Sequence, residues 1–157
     1  INEYGQEDLE NIFKMYGEER FSRRIAEQII VERNKERITR TKKLEEIIFH
    51  SYPKKMRHQK IHPATRVFQA LRIYVNRELE YLTEMIHQCV SLLPAGGRIA
   101  IISFHSLEDR IVKHTFRDYA KSDKLKLITK KPIIPTEKEI FENSRSRSAK
   151  LRIAEKI

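Results

Sequence analysis

The sequence predicts an α/β chain, a layer of alternating strands and helices with a helical subdomain added. Three observations carry this. Residues 7–48 contain three stretches with apolar side chains at three- and four-residue spacing, and residues 65–93 contain a longer one. From residue 98 onward, short apolar or alternating runs appear with a helical pattern between the first two.

The first helix is expected over 7–16, with Leu9, Ile12, Phe13 and Tyr16 on one stripe and Gly17 in the left-handed position beyond its end. A second, over 18–34, aligns Phe21, Ile25, Ile29 and Ile30. A third begins near Thr39 or Thr41 as N-cap and buries Leu44, Ile47 and Ile48. The pattern then stops. Residues 52–66, "YPKKMRHQKIHPATR", hold two prolines, five Lys or Arg, two histidines and no acid, which predicts a basic loop that is either a solvated connector or a phosphate contact.

Residues 65–93 read as one long helix with a seam running from Phe68 through Leu71, Val75, Leu79, Leu82, Ile86 and Cys89 to Leu93. Its first half carries a second stripe, Arg66, Gln69, Arg72 and Asn76, suited to phosphate, carboxylate or a base edge. After the turn "LLPAGG", strand 98–103 shows no polar alternation and is expected to be buried on both faces. A helix follows over 107–120, with Ser106 as N-cap and Glu108 and Asp109 favourably placed in its first turn. Alternation at 124–131 and 149–156 predicts two more strands. The 17 residues between them, "PIIPTEKEIFENSRSRS", exceed ordinary loop length and predict a functional or mobile excursion.

A net charge of +10 favours polyanionic partners. No apolar run approaches the roughly 18 residues of a membrane span, and the polar, acidic N-terminal stretch is unlike a signal peptide, so a soluble cytoplasmic protein is expected. A membrane-surface role is disfavoured because the basic residues are not segregated opposite an aromatic face. The single Cys89 excludes disulfide and zinc frameworks, and the six scattered histidines lack metal-ligand spacing.

In open α/β sheets ligands collect beyond the carboxyl ends of strands, which singles out Ser103, Phe104 and His105, with Arg110 and Lys113 extending positive charge along the next helix. Each has a structural alternative: Phe104 closing the core, His105 a hydrogen-bonded turn residue. Ser103, His105 and Asp109 do not make a hydrolytic triad, because residues of one turn do not converge as nucleophile, base and orienter. Gly96 and Gly97 precede a strand instead of following one, so they predict a turn and not a phosphate cradle.

Three segments, "HPATRVFQALRIYVNRELE" (62–80), "LLPAGGRIAIISFHSLEDRIVK" (92–113) and "NSRSRSAKLRIAEK" (143–156), resemble the bacterial 16S ribosomal RNA cytosine-N4 methyltransferases, the RsmH or MraW family. Residues 16–41 resemble that family's helical insertion. The resemblance implies the C-terminal part of a class I (Rossmann-like) methyltransferase sheet plus a small helical insertion domain. Residues 1–61 would be the helical insertion with its basic linker, and 62–157 the methyltransferase portion. It implies S-adenosyl-L-methionine as methyl donor and 16S ribosomal RNA of the small subunit as substrate. Arg66, Arg72, Arg110, Lys113, Arg145 and Arg147 are then the natural phosphate contacts, and Phe104 or His105 the platform for a splayed base.

The family's glycine-rich loop after its first strand, the acid ending the second and the motif ending the fourth have no counterpart here. The expectation is therefore a C-terminal half of a longer enzyme, starting at Ile1, inactive alone and not binding S-adenosyl-L-methionine. Strand 98–103 would keep an open edge through which two copies pair. The rival reading is a basic RNA-binding module without chemistry of its own.

Overall fold

Leu9, Ile12 and Phe13 lie on one stripe of α1 (Gln6–Gly17) and are buried. A computed structural model describes residues 1–59 and 61–157; position 60, in the predicted basic loop, lies outside the described residues. Gly17 does not take the expected left-handed position. It is the last helical residue, and Glu18 adopts that backbone with φ 47°. The glycine serves close approach: a Cβ there would sit 2.7 Å from the Arg66 carbonyl oxygen and 3.2 Å from Ala70 Cβ.

The helices α2 (Ser22–Lys35), α3 (Thr41–Ser51) and α4 (Ala64–Asn76) complete this unit. Ile25, Ile29, Ile48, Val67 and Ala70 are fully buried together with Phe13, and Phe21 and Phe68 pack against them. Neither Thr39 nor Thr41 caps α3, which is preceded by Arg40 in extended conformation without a side-chain cap.

The predicted single helix over 65–93 is two helices, α4 and α5 (Glu78–Leu92). Arg77 between them has φ 50°, and its amide donates to the Ile73 and Tyr74 carbonyls. Apolar spacing runs through the break because one left-handed residue redirects the chain without inserting a polar turn. Val75, assigned to the seam, is 73% exposed. The chain forms two compact units, Ile1–Glu78 and Leu79–Ile157. Val67 and Ala70 of α4 belong to the core of the first unit.

The second unit contains α5, β1 (Arg98–Ser103), α6 (Ser106–Lys121), β2 (Leu125–Leu127), α7 (Glu137–Glu142) and β3 (Lys150–Lys156). Its sheet has the order β1-β3-β2 with both pairings antiparallel. Ile99, Ile101 and Ser103 lie opposite Ala154, Arg152 and Lys150, so these six share one face. There Ile99, Ala154 and Leu125 pack with Ile86 and Val90 of α5 and Val112 and Phe116 of α6. On the other face, Ala100 and Ile102 lie opposite Ile153 and Leu151. Ala100 is exposed and Ile102 is 57% exposed. β1 is therefore covered on one face, not two. Among the described residues it pairs with β3 alone and has an open edge.

The turn before β1 places Gly96 at φ 78°, where a side chain would be strained. The strand expected over 124–131 is limited to three residues. The excursion after it is ordered: Ile133 bridges to Leu151, Thr136 Oγ1 accepts from the Glu139 amide to cap α7, and Ser144–Ser148 form a 3-10 turn. Among the described residues no helix is long and apolar enough to cross a membrane.

Candidate functional site

The carboxyl end of β1 runs into α6 through Ser103, Phe104 and His105. His105, not Ser106, is the N-cap: its Nδ1 accepts from the Glu108 amide at 3.3 Å. Glu108 reciprocates, Oε2 accepting from the amides of Phe104 (2.8 Å) and His105 (3.3 Å). With Nδ1 an acceptor, the neutral ring carries its proton on Nε2. That atom is buried and makes no hydrogen bond of sound geometry, although Glu108 Oε1 lies 3.1 Å away. Burial opposes ionisation of Glu108, but the His105 ring and the Phe104 amide outweigh it and hold the carboxyl below the usual range. The imidazole is thus fixed in position, with its Nε2 buried beside Glu108.

Ser103 does not open onto a cleft. It is 3% exposed and its hydroxyl donates to the Lys150 carbonyl at 3.4 Å. Phe104 projects outward, 54% exposed, and so does not close the core. Arg110 is exposed on α6 and Lys113 is half-buried one turn on.

Beneath this turn lies a buried ion pair. Asp109 accepts from Arg152 Nε (2.7 Å, Oδ1) and Nη2 (3.2 Å, Oδ2), and from Lys150 Nζ at 3.4 Å. Asp109 and Arg152 are each 8% exposed. The Arg152 guanidinium holds the Asp109 carboxyl below its ordinary range. The pair ties the first turn of α6 to the central strand, so it locks the direction in which Phe104 and His105 face. Sequence reasoning gave Asp109 to the helix dipole and passed over Arg152; an arginine in an alternating strand carries no signal that it points inward.

The stripe on α4 splits. Arg72 donates to Glu78 from Nε (2.9 Å) and Nη2 (3.1 Å), and Asn76 Nδ2 donates to the same carboxylate at 3.2 Å. Gln69 is half-buried. Arg66 instead lines a cavity of about 270 Å³ with Arg20 and Tyr52. The Tyr52 hydroxyl donates at 2.5 Å to Glu19 Oε2, and Glu19, 1% exposed, accepts at Oε1 from the Phe21 amide at 2.8 Å. Burial, then the Glu19 carboxylate, push the Tyr52 hydroxyl well above the usual phenol range. Arg20, Glu19 and Tyr52 were not singled out from sequence, because a single Glu-Arg pair at a helix start resembles any solvated turn. Arg145 and Arg147 are exposed on the 3-10 turn, held in place by Ser146, whose buried hydroxyl donates to the Asn143 carbonyl.

Gly96 and Gly97 do not form a ligand cradle. The Gly96 amide donates to the Lys156 carbonyl at 2.8 Å and the Gly97 amide to that of Pro94 at 2.9 Å, so neither is presented to a ligand.

Residues 1–157 match the MraW methylase family. The chain is 51% identical over its whole length to the "Ribosomal RNA small subunit methyltransferase H" of a Sulfurihydrogenibium species, covering 54% of that protein. It is 52% identical over its whole length to the protein of the same name from Persephonella marina, again covering 54% of it. For the protein of that name from Trichormus variabilis the identity is 58% over 99% of this chain and 49% of the relative. The chain thus spans about half the length of the curated relatives it matches. A family match from the first residue to the last, over helices, sheet and the α6 cap alike, means that the chain belongs to the MraW methylase family.

Proposed function

We propose that the protein containing this chain methylates the N4 amine of a cytidine in 16S ribosomal RNA, in the cytoplasm, with S-adenosyl-L-methionine as donor, and that this chain supplies the RNA-binding side of the reaction. The whole-length family match carries the reading, and the relatives' name specifies small-subunit ribosomal RNA. The β1-β3-β2 order, with β3 antiparallel between two earlier strands, supports the end of a class I (Rossmann-like) sheet.

The roles follow from placement. Phe104, exposed beside a rigid cap, offers a stacking surface to an unpaired base. His105, its ring fixed by Glu108, holds the turn that presents Phe104 to the RNA. Arg145 and Arg147, exposed on a short rigid turn, meet phosphates, as do Arg110 and Lys113 along α6. Ser103 supports the turn from beneath. By itself the chain acts as an RNA-binding module without its own donor site. The open edge of β1 supports pairing of two copies.

The test is transfer of labelled methyl from S-adenosyl-L-methionine to unmodified small ribosomal subunits by the full encoded protein. Label recovered as N4-methylcytidine is expected. Label on another base or atom, or none, overturns the reading.

A further inference from the structure

Four segments of the helical unit converge on the cavity at Arg66. Arg20 comes from the turn after α1, Tyr52 from the end of α3, Gln59 and His62 from the basic loop, and Arg66 from the first turn of α4. Among the described residues neither Arg20 nor Arg66 has a carboxylate partner, in contrast to Arg72, Arg98 and Arg152. Arg20 rests over the Phe21 ring, 5.0 Å from its centroid, and touches Met56 sulfur at 3.5 Å. Glu19, next to Arg20 in sequence, has both oxygens occupied by Tyr52 and the Phe21 amide.

The local charge is informative. Among the described lining residues there are two guanidiniums and no carboxylate. His62 Nδ1 accepts from the Ala64 amide at 3.2 Å, and its Nε2 is 3.4 Å from Glu45. Two guanidiniums lining one cavity suit the oxygens of a single phosphodiester. The volume, about 270 Å³, lies just under the roughly 300–1,000 Å³ of small-molecule sites, which suits a single nucleotide unit and not a large cofactor. Ile61 is 52% exposed beside the His62 ring, which is itself stacked on Phe49 at 5.9 Å, so an apolar and π-rich wall borders the charged one.

We propose that this cavity is a subsite for one nucleotide of single-stranded RNA, with Arg20 and Arg66 together clamping a single phosphate and Gln59 and His62 contacting the sugar or base. The inference rests on the RNA-directed reading above and adds a specific site to it. A clamp of two side chains on one phosphate has a signature. Counterion release counts phosphates, so losing the site lowers the slope of log affinity against log salt by about 0.7, whereas two separate phosphates would lower it by about 1.4.

The experiment is fluorescence anisotropy of a labelled single-stranded RNA decamer with the chain and its Arg20→Ala, Arg66→Ala and doubly substituted forms across a salt series. Arg37→Ala, an exposed position paired with Glu3, controls for net charge. Each single substitution is expected to weaken binding at least about tenfold, the double by less than the product, with the slope reduced by about 0.7. Arg37→Ala should change affinity no more than twofold. In case the variants misfold, NMR titration of the unsubstituted chain with cytidine 5′-monophosphate is expected to shift the amides of Tyr52, Gln59 and Arg66 first. If the unsubstituted chain binds no RNA, the RNA reading and the site both fail. If RNA binds equally to the folded double variant, or the mononucleotide shifts only residues outside the cavity, the site alone fails.

Discussion

Replacing Arg152 by methionine should destabilise the second unit far more than replacing Arg152 and Asp109 together. Arg152 makes two hydrogen bonds to Asp109 at 2.7 and 3.2 Å, and both residues are 8% exposed. Removing one member of a buried pair leaves the other charge without compensation and costs roughly 3–5 kcal/mol. Lys150, 3.4 Å from Asp109 and 39% exposed at its side chain, stays behind as a partial counter-ion, which places Arg152→Met near the lower end, about 3 kcal/mol. A unit of this size melts roughly 4–8 °C lower per kcal/mol, so a drop of at least about 12 °C is expected. The double change Asp109→Leu with Arg152→Met should fall within about 1 kcal/mol of the parent. Urea unfolding monitored by hydrogen exchange of α6 and β3 amides reads the second unit separately from the first. The Asp109 carboxyl is depressed in the folded state. Its contribution is therefore complete above the unfolded carboxyl value near 3.9 and disappears as pH falls through the lower folded value. The stability gap between parent and Arg152→Met should narrow below about pH 4. Stability of Arg152→Met within 0.5 kcal/mol of the parent at neutral pH, a threshold of roughly the scatter for neutral surface changes, would refute the assignment.

Gly17→Ala should destabilise the helical unit by about 1–3 kcal/mol despite alanine's better helix propensity, because its Cβ would meet the Arg66 carbonyl at 2.7 Å; thermal unfolding by circular dichroism checks it. Tyr52→Phe removes the hydroxyl donor to the buried Glu19 carboxylate and should cost about 1.5–3 kcal/mol, measured by urea titration. Calorimetry of the chain with S-adenosyl-L-methionine should show no saturable heat; micromolar affinity would contradict the half-site reading. Light scattering should detect dimer at micromolar concentration through the β1 edge, and a folded, strictly monomeric chain would remove that proposal.

The elements that were legible are those in which local period and burial agree. Leu9, Ile12 and Phe13, or Ile25 and Ile29, repeat at helical spacing and are buried where that spacing puts them. The sequence predicts one helix over 65–93 where there are two, because the apolar period continues across the left-handed Arg77. β3 shows the deeper limit. Leu151 and Ile153 mark the apolar side of its alternation, yet Arg152 and Ala154 face the packed side. The buried partner of Arg152 is 43 residues away, so its inward placement is invisible to any local pattern. At the candidate site the sequence points to the turn Ser103–Phe104–His105 but to Ser106 as the cap, where the structure has His105. A histidine accepting from an N3 amide is less common than serine, and only the Glu108 contacts distinguish them.

Local pattern alone reveals the helix-rich first part, the strand–helix–strand run of the second, the basic character and, through long motifs, the family resemblance. These depend on side-chain chemistry and on neighbours a few residues apart. The tertiary structure decided which face of β1 is covered, where the chain divides, how Asp109 finds Arg152, and that Arg20 and Arg66 border one cavity above a Tyr52–Glu19 hydrogen bond. Each of those depends on segments distant in sequence meeting in space, and burial energies set by such meetings exceed the local preferences that periodicity can read.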